Sequence, residues 1–286
     1  MIRWDLLRCC RVTNNRTVHL ALLYNVYLHW FIYGGFEPCR LPRHFSSHLA
    51  MNLIGALFNT SIGKKFLMAL TGLVLFGFVT GHLVGNLQIF LPPAKINQYG
   101  HMLESLGAAL WAIRLFLLAC LVVHVWLAIR LTLENRAARP LGYGFDHVNR
   151  ATLSSRVMAR TGVVVLAFIV YHLADFTVRI GHPEWSDHSF RLADGTMVRD
   201  VYRMVVEGFS RAGVSFFYIL AVGLLSYHLA HGLVSLTQSL GLKNEKWTSG
   251  LERASAIYCW GYFLLNAAIP LAVLGWLPGL SSLIHR

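Results

Sequence analysis

Four histidines lie deep in apolar sequence: His82, His124, His172 and His228. An imidazole can relay a proton, hydrogen-bond a neighbouring helix or give a nitrogen to a metal. Ionisable side chains inside a membrane are rare and costly, so each is a functional candidate. One such histidine is explained equally well by an interhelical hydrogen bond. Four in four consecutive apolar runs, with none in the fifth, are much harder to explain that way. Each lies about 15–16 residues after its run begins, or roughly 24 Å along a helix rising 1.5 Å per residue. Consecutive runs cross in opposite directions. His82 and His172 therefore fall towards one face, and His124 and His228 towards the other, in two layers about 15–20 Å apart. Two imidazoles facing each other across a bundle suit a flat macrocycle that takes one axial nitrogen on each side.

The expectation is an outer haem on His82 and His172 and an inner haem on His124 and His228. His231 lies one turn from His228 on roughly the same face and remains an alternative to it. The second ring N–H of each ligand should find a carbonyl or hydroxyl within the bundle. Gly72, Gly77, Gly81, Gly85, Gly162, Gly223 and Gly232 lie near the proposed sites. They would let helices approach either a flat cofactor or each other. His101, His147, His182 and His188 fall between the runs and are expected to be solvated.

The elements that must position these residues follow from composition. The chain has 286 residues, 56% hydrophobic and 13% charged, against about 25% charged in a soluble domain. Five apolar runs, near 66–90, 108–133, 157–180, 212–236 and 256–277, are long enough to cross a hydrocarbon core of roughly 30 Å. In lipid such runs can only be helices, because every backbone donor needs an internal partner. The fold class is therefore all-α integral membrane, with five transmembrane helices in a bundle enclosing two b-type haems.

The net charge of +12 is concentrated beside the runs, in Lys64 and Lys65, in arginines between the second and third runs, and in Lys243, Lys246 and Arg253. Contact with anionic lipid and positive-inside topology account for it better than nucleic-acid binding, for which no groove-reading motif is present. The N-terminus is expected in the cytoplasm, in the inner membrane of a bacterium. None of the five cysteines forms a CxxC or CxxCH motif. Residues 1–55 read as an N-terminal extension ahead of a transmembrane domain at 56–286. Met51 opens a plausible chain of its own, and the rival reading is a sixth, marginal membrane segment.

The order and spacing of several segments resemble one family. "SIGKKFLMALTGLVLFGFVTGHLVGN" at 61–86, "VVHVWLAIR" around His124, "RTGVVVLAFIVYHLADF" around His172 and "SYHLAHGLVSLTQSLGL" at 226–242 resemble the first four helices of the di-haem cytochrome b anchors of succinate dehydrogenases and fumarate reductases. The resemblance spans roughly 55–278. It implies His228 as the fourth ligand, two haem b cofactors, and a flavoprotein subunit and an iron–sulfur subunit as partners. It also implies quinone, menaquinone for di-haem relatives, as the substrate in the membrane. Such a chain would be the non-flavin subunit of a succinate:quinone oxidoreductase, with no succinate oxidation of its own. Glu104 stands where some menaquinol-oxidising relatives place a quinone-site glutamate, although an acid at a helix start reads equally well there. Ser226 occupies the position of a glutamate that one relative uses for proton transfer, which argues against that route. The alternatives are a cytochrome b subunit of another membrane dehydrogenase and a haem-free transporter that uses the histidines as relays.

Overall fold

In the computed structural model, residues 55–138 and 153–284 are described. Residues 1–54, and with them nearly all of the expected extension, lie outside these, as does His147. Five helices are long and apolar enough to cross a membrane: Ser61–Phe90, Ala108–Ala137, Met158–Val178, Ala212–Ser239 and Glu245–Val273. The shortest has 21 residues, which at 1.5 Å per residue is about 31 Å and enough for the hydrocarbon core. Large apolar side chains such as Leu115, Val163, Leu220 and Ile257 point outward, as a lipid-facing surface requires. Exposed Trp111, Trp247 and Trp276 stand near helix ends, where amphipathic rings favour the membrane interface.

The helices outrun the apolar sequence because their ends are capped. Helix α1, Ser61–Asn86, begins where the Thr60 side chain accepts the Gly63 N–H at 3.0 Å. Helix α2, Pro93–Ser105, starts with a proline at its first position, where no N–H is needed. Helix α3 is Ala108–Ala137 and α4 is Leu153–His172. After α4 the chain continues as a π-helical turn, Leu173–Val178, stopped by Arg179 at φ 60°. Strands β1, Ser189–Arg191, and β2, Met197–Arg199, form an antiparallel hairpin. It leads into α5, Val201–Phe209, and α6, Ala212–Ser239. Asn244 caps α7, Glu245–Val273, by accepting the Trp247 N–H, so α7 starts well before its apolar stretch. It stops at Gly275, whose positive φ of 78° lets the Trp276 N–H return to the Leu271 carbonyl. Helix α8 is Pro278–Ile284.

In the bundle, α1 packs against α3 and α6, α4 packs against α6, and α7 packs against α6. Two bonds fasten α7. Tyr258 Oη is 2.6 Å from Thr80 Oγ1 on α1, and Ser255 donates to the Ala230 carbonyl at 3.0 Å.

One end of the bundle carries the hairpin with α2, α5 and α8 over it. Its core is Ile89, Ile96, Ile269, Ala272, Val273 and Ile284. Asn97, fully buried, ties α2 to α5: its amide donates to Asp200 at 3.0 Å and its carbonyl accepts the Tyr202 N–H at 2.9 Å. The Tyr202 hydroxyl donates to the Ile284 carbonyl, and burial pushes its pKa up.

The opposite end is basic. There Lys64, only 4% exposed, is paired with Glu134, and Arg130 lies 3.7 Å from the same carboxylate.

The expectation of solvated histidines between the runs needs correction. His101 is exposed, but on α2 rather than in a loop. His182 stacks on buried Trp185, with ring centroids 4.2 Å apart, and lies 3.0 Å from Glu184. His188 is partly covered and its Nδ1 lies 3.8 Å from Glu207. Both belong to the packed cap, whose short elements carry too little periodicity to stand out in the sequence.

Candidate functional site

The first site lies near the hairpin end. Helix α1 supplies His82 and α4 supplies His172, and their ring centroids are 5.8 Å apart with planes at 78°. Phe78, one turn before His82, stacks on it at 5.5 Å. Phe168 and Phe176 flank His172 at 6.0 and 5.9 Å. In the π-helical turn that follows, Asp175 is only 8% exposed. π-Helical turns of this kind are frequent at functional sites. Tyr218, on α6, donates its hydroxyl to Asp175 Oδ2 at 3.3 Å and sits 3.4 Å from His172 Nδ1. Arg211 lies 3.9 Å from the same carboxylate. A polar chain therefore runs from His172 through Tyr218 and Asp175 to Arg211. The sequence reading missed it. Asp175 is an acid inside an apolar run, and the rule that singled out the histidines applies to it equally.

The second site lies deeper towards the basic end. His124, on α3, meets α1: its Nδ1 is 3.2 Å from Thr71 Oγ1, and its Cε1 would stand 3.3 Å from a Cβ placed on Gly72. His228, on α6, meets α4 in the same way. Its Nδ1 is 3.4 Å from Thr161 Oγ1, and its Cε1 would stand 3.5 Å from a Cβ on Gly162. His124 and His228 lie within electrostatic reach of each other. His231, one turn on and partly buried, also acts on His228.

Thr71 and His82 are eleven residues apart on α1, as are Thr161 and His172 on α4. Eleven residues make three turns, so both members of each set share a face about 16 Å apart along the axis. That distance separates the two histidine layers. The pattern Thr-Gly-x5-Phe-x3-His occurs in both helices, at 71–82 and 161–172. Each of its named residues either is a site histidine or touches one. Comparing the two segments with each other would have exposed the repeat.

The other expected residues are placed as follows. Gly85 makes room for the Tyr99 ring and Gly223 for Phe263, while Gly77, Gly81 and Gly232 have no side chain or distant backbone against them. Glu104 closes α2 at the hairpin end, 3.3 Å from Arg199. Ser226 is buried on α6, and its hydroxyl has no hydrogen-bond partner. Cys120 and Cys259 are buried free thiols.

Among the described residues, no three of His, Cys, Asp and Glu converge on one point that could hold a metal ion. A bis-histidine haem asks for two imidazoles, the porphyrin supplying the remaining nitrogens. With two metal–nitrogen bonds of about 2 Å in line, the ring centroids fall near 6 Å apart, and the 5.8 Å between His82 and His172 matches that spacing. At the second pair the hydroxyls engage Nδ1, leaving Nε2 as the available donor. The donor chemistry of both sites therefore fits haem. In comparisons with known proteins, no family model, curated protein or solved structure matches the chain.

Proposed function

We propose that this chain is the di-haem cytochrome b anchor of a succinate:quinone oxidoreductase, linking an iron–sulfur partner to quinone in the membrane. The observation that supports it most is the facing pair His82 and His172, 5.8 Å apart between centroids, with a second histidine pair about 16 Å away by helix rise. When bound, haem supplies reversible one-electron chemistry. His82 and His172 would hold the outer group, and His124 and His228 the inner one.

The protein's own residues do the rest. Phe78, Phe168 and Phe176 exclude water from the outer pair, and Tyr218 orients His172. Thr71 and Thr161 orient the inner pair. His228 is preferred to His231 because it is His228 that meets Thr161 and Gly162. Lys64, Arg130, Arg136, Lys243 and Lys246 gather at the end opposite the hairpin. By the positive-inside rule that end is cytoplasmic, where soluble flavoprotein and iron–sulfur subunits would dock. Glu104 could accept a quinol proton at the outer face, working from its ion pair with Arg199.

A haem-free histidine relay is the second reading, and the His172–Tyr218–Asp175 chain is the feature that favours it. Affinity purification of the full chain from its native membrane tests the partner assignment. Co-purification of a flavoprotein and an iron–sulfur protein with succinate-dependent quinone reduction is expected. Recovery with a hydrogenase or formate dehydrogenase instead would contradict the assignment.

A further inference from the structure

We infer that Thr71–Gly72 and Thr161–Gly162 are two matched seats that hold His124 and His228 as Nδ1–H tautomers with Nε2 presented to the iron of the inner haem. The inference rests on the haem reading above and adds positioning residues to it.

Donor counting carries the first step. A threonine hydroxyl has one hydrogen to give and two lone pairs. Thr71 Oγ1 lies 3.0 Å from the Leu67 carbonyl and 3.1 Å from that of Met68, and Thr161 Oγ1 lies 3.0 Å from that of Met158. Back-bonding of this kind is the ordinary habit of a mid-helix threonine. With the hydroxyl hydrogen placed on a carbonyl, the oxygen accepts from the imidazole. In that arrangement the ring nitrogens, at 3.2 and 3.4 Å, are the donors. An Nδ1–H imidazole keeps its lone pair on Nε2 and binds metal there.

Clearance carries the second step. A side chain at position 72 or 162 would begin 3.3 or 3.5 Å from the imidazole Cε1. At position 72 that approach is tight enough that the ring would have to give, and at 162 it is ordinary contact, so there only a side chain larger than alanine would compete with the ring. Glycine thus lets the ring lie against the neighbouring helix, and threonine one residue earlier fixes its rotation.

Duplication carries the third. The same dipeptide stands eleven residues before each outer histidine, so each of α1 and α4 supplies one outer ligand and one inner seat. The outer ligand His172 is met by Tyr218 instead, so loss of a threonine should be felt in one layer only.

Partners of this kind raise ligand basicity, and their removal typically costs 10–100-fold in metal affinity or activity. A more basic ligand favours the ferric state. Losing the acceptor should raise the inner haem's midpoint potential, by about 59 mV for each tenfold change in the relative stability of its two oxidation states.

The test uses the full chain purified with its haems. Redox titration by visible and EPR spectroscopy is run on the unaltered protein and on Thr71→Val, Thr161→Val and Thr71→Ser. The expected result is an upward shift or weakened retention of the inner haem in both valine variants, an unchanged outer haem, and recovery in Thr71→Ser. Loss of the inner haem alone in Thr71→Val with recovery in Thr71→Ser also supports the seat, whereas equal loss of both haems in the valine variants would overturn it. Two haems whose signals ignore both valine changes would overturn this inference and leave the haem reading standing, as would loss in the serine variant equal to that in valine. An unaltered chain without haem would overturn both.

Discussion

His82 and His172 come from helices whose sequences lie ninety residues apart, yet their imidazole centroids stand 5.8 Å from each other with planes nearly perpendicular. Among the described residues, neither forms an ion pair. Phe78 and Phe168 pack on them, and the bundle places them opposite one another. On the proposed reading, this facing pair would hold the outer haem.

Replacing either member of a layer should empty that layer alone. His82→Ala and His172→Ala are expected to retain one haem on the inner pair, and His124→Ala and His228→Ala one haem on the outer pair. His231→Ala should retain both. Haem-to-protein ratios and low-temperature spectra of the purified variants check this. Loss of a mixed pair would refute the layering.

Asp175 should set the outer haem's potential through its negative charge. Removing that charge disfavours the ferric form, so Asp175→Asn should raise the outer midpoint, by about 59 mV if the oxidation-state balance shifts tenfold. The inner haem should stay within experimental error. Potentiometric titration of the two haems in one sample distinguishes the layers.

The cap and the outer pair share Phe176. A Cβ on Gly208 would stand 2.7 Å from its ring, and that ring flanks His172 at 5.9 Å. Gly208→Val should therefore cost about 1–3 kcal/mol, the usual range for overpacking, and broaden the outer haem signal only. Thermal unfolding in detergent, paired with EPR, measures both effects.

At the basic end, Lys64 depends on Glu134. Its ammonium is almost fully covered, while Glu134 is 35% exposed. Glu134→Gln leaves a buried charge without its counter-ion and should cost about 2–3 kcal/mol. That lies at or just below the bottom of the range for breaking a buried pair, about 3–5 kcal/mol, because the carboxylate is partly solvated. Replacing both residues by apolar ones of similar size should restore much of the loss. Denaturation midpoints of the unaltered protein and of the two variants decide it.

The membrane helices and the histidine layers were legible in the sequence for a physical reason. Lipid forces long apolar runs into helices, and a regular rise turns residue count into depth. The helix ends were less legible. Thr60 and Asn244 extend α1 and α7 into polar sequence by capping, which hydropathy does not register. The cap does not stand out in the sequence because α5, α8 and the hairpin are short, and Asn97 and Tyr202 hold the cap helices by tertiary bonds. Lys64 was read only as a topology signal, since its burial against Glu134 depends on which face of α3 meets α1. The second ring of partners was legible in kind but not in identity. A carbonyl or hydroxyl is expected near each histidine; hydroxyls stand beside His124, His172 and His228, and finding Thr71 and Thr161 required either the fold or a comparison of the two halves.

The most direct test of the central claim is the reduced-minus-oxidised visible spectrum of the full chain, purified from cells supplied with haem, together with its haem-to-protein ratio. Two b-type haems per chain, with axial signals lost layer by layer in the histidine variants, is the predicted result. A colourless protein with intact helices would contradict it.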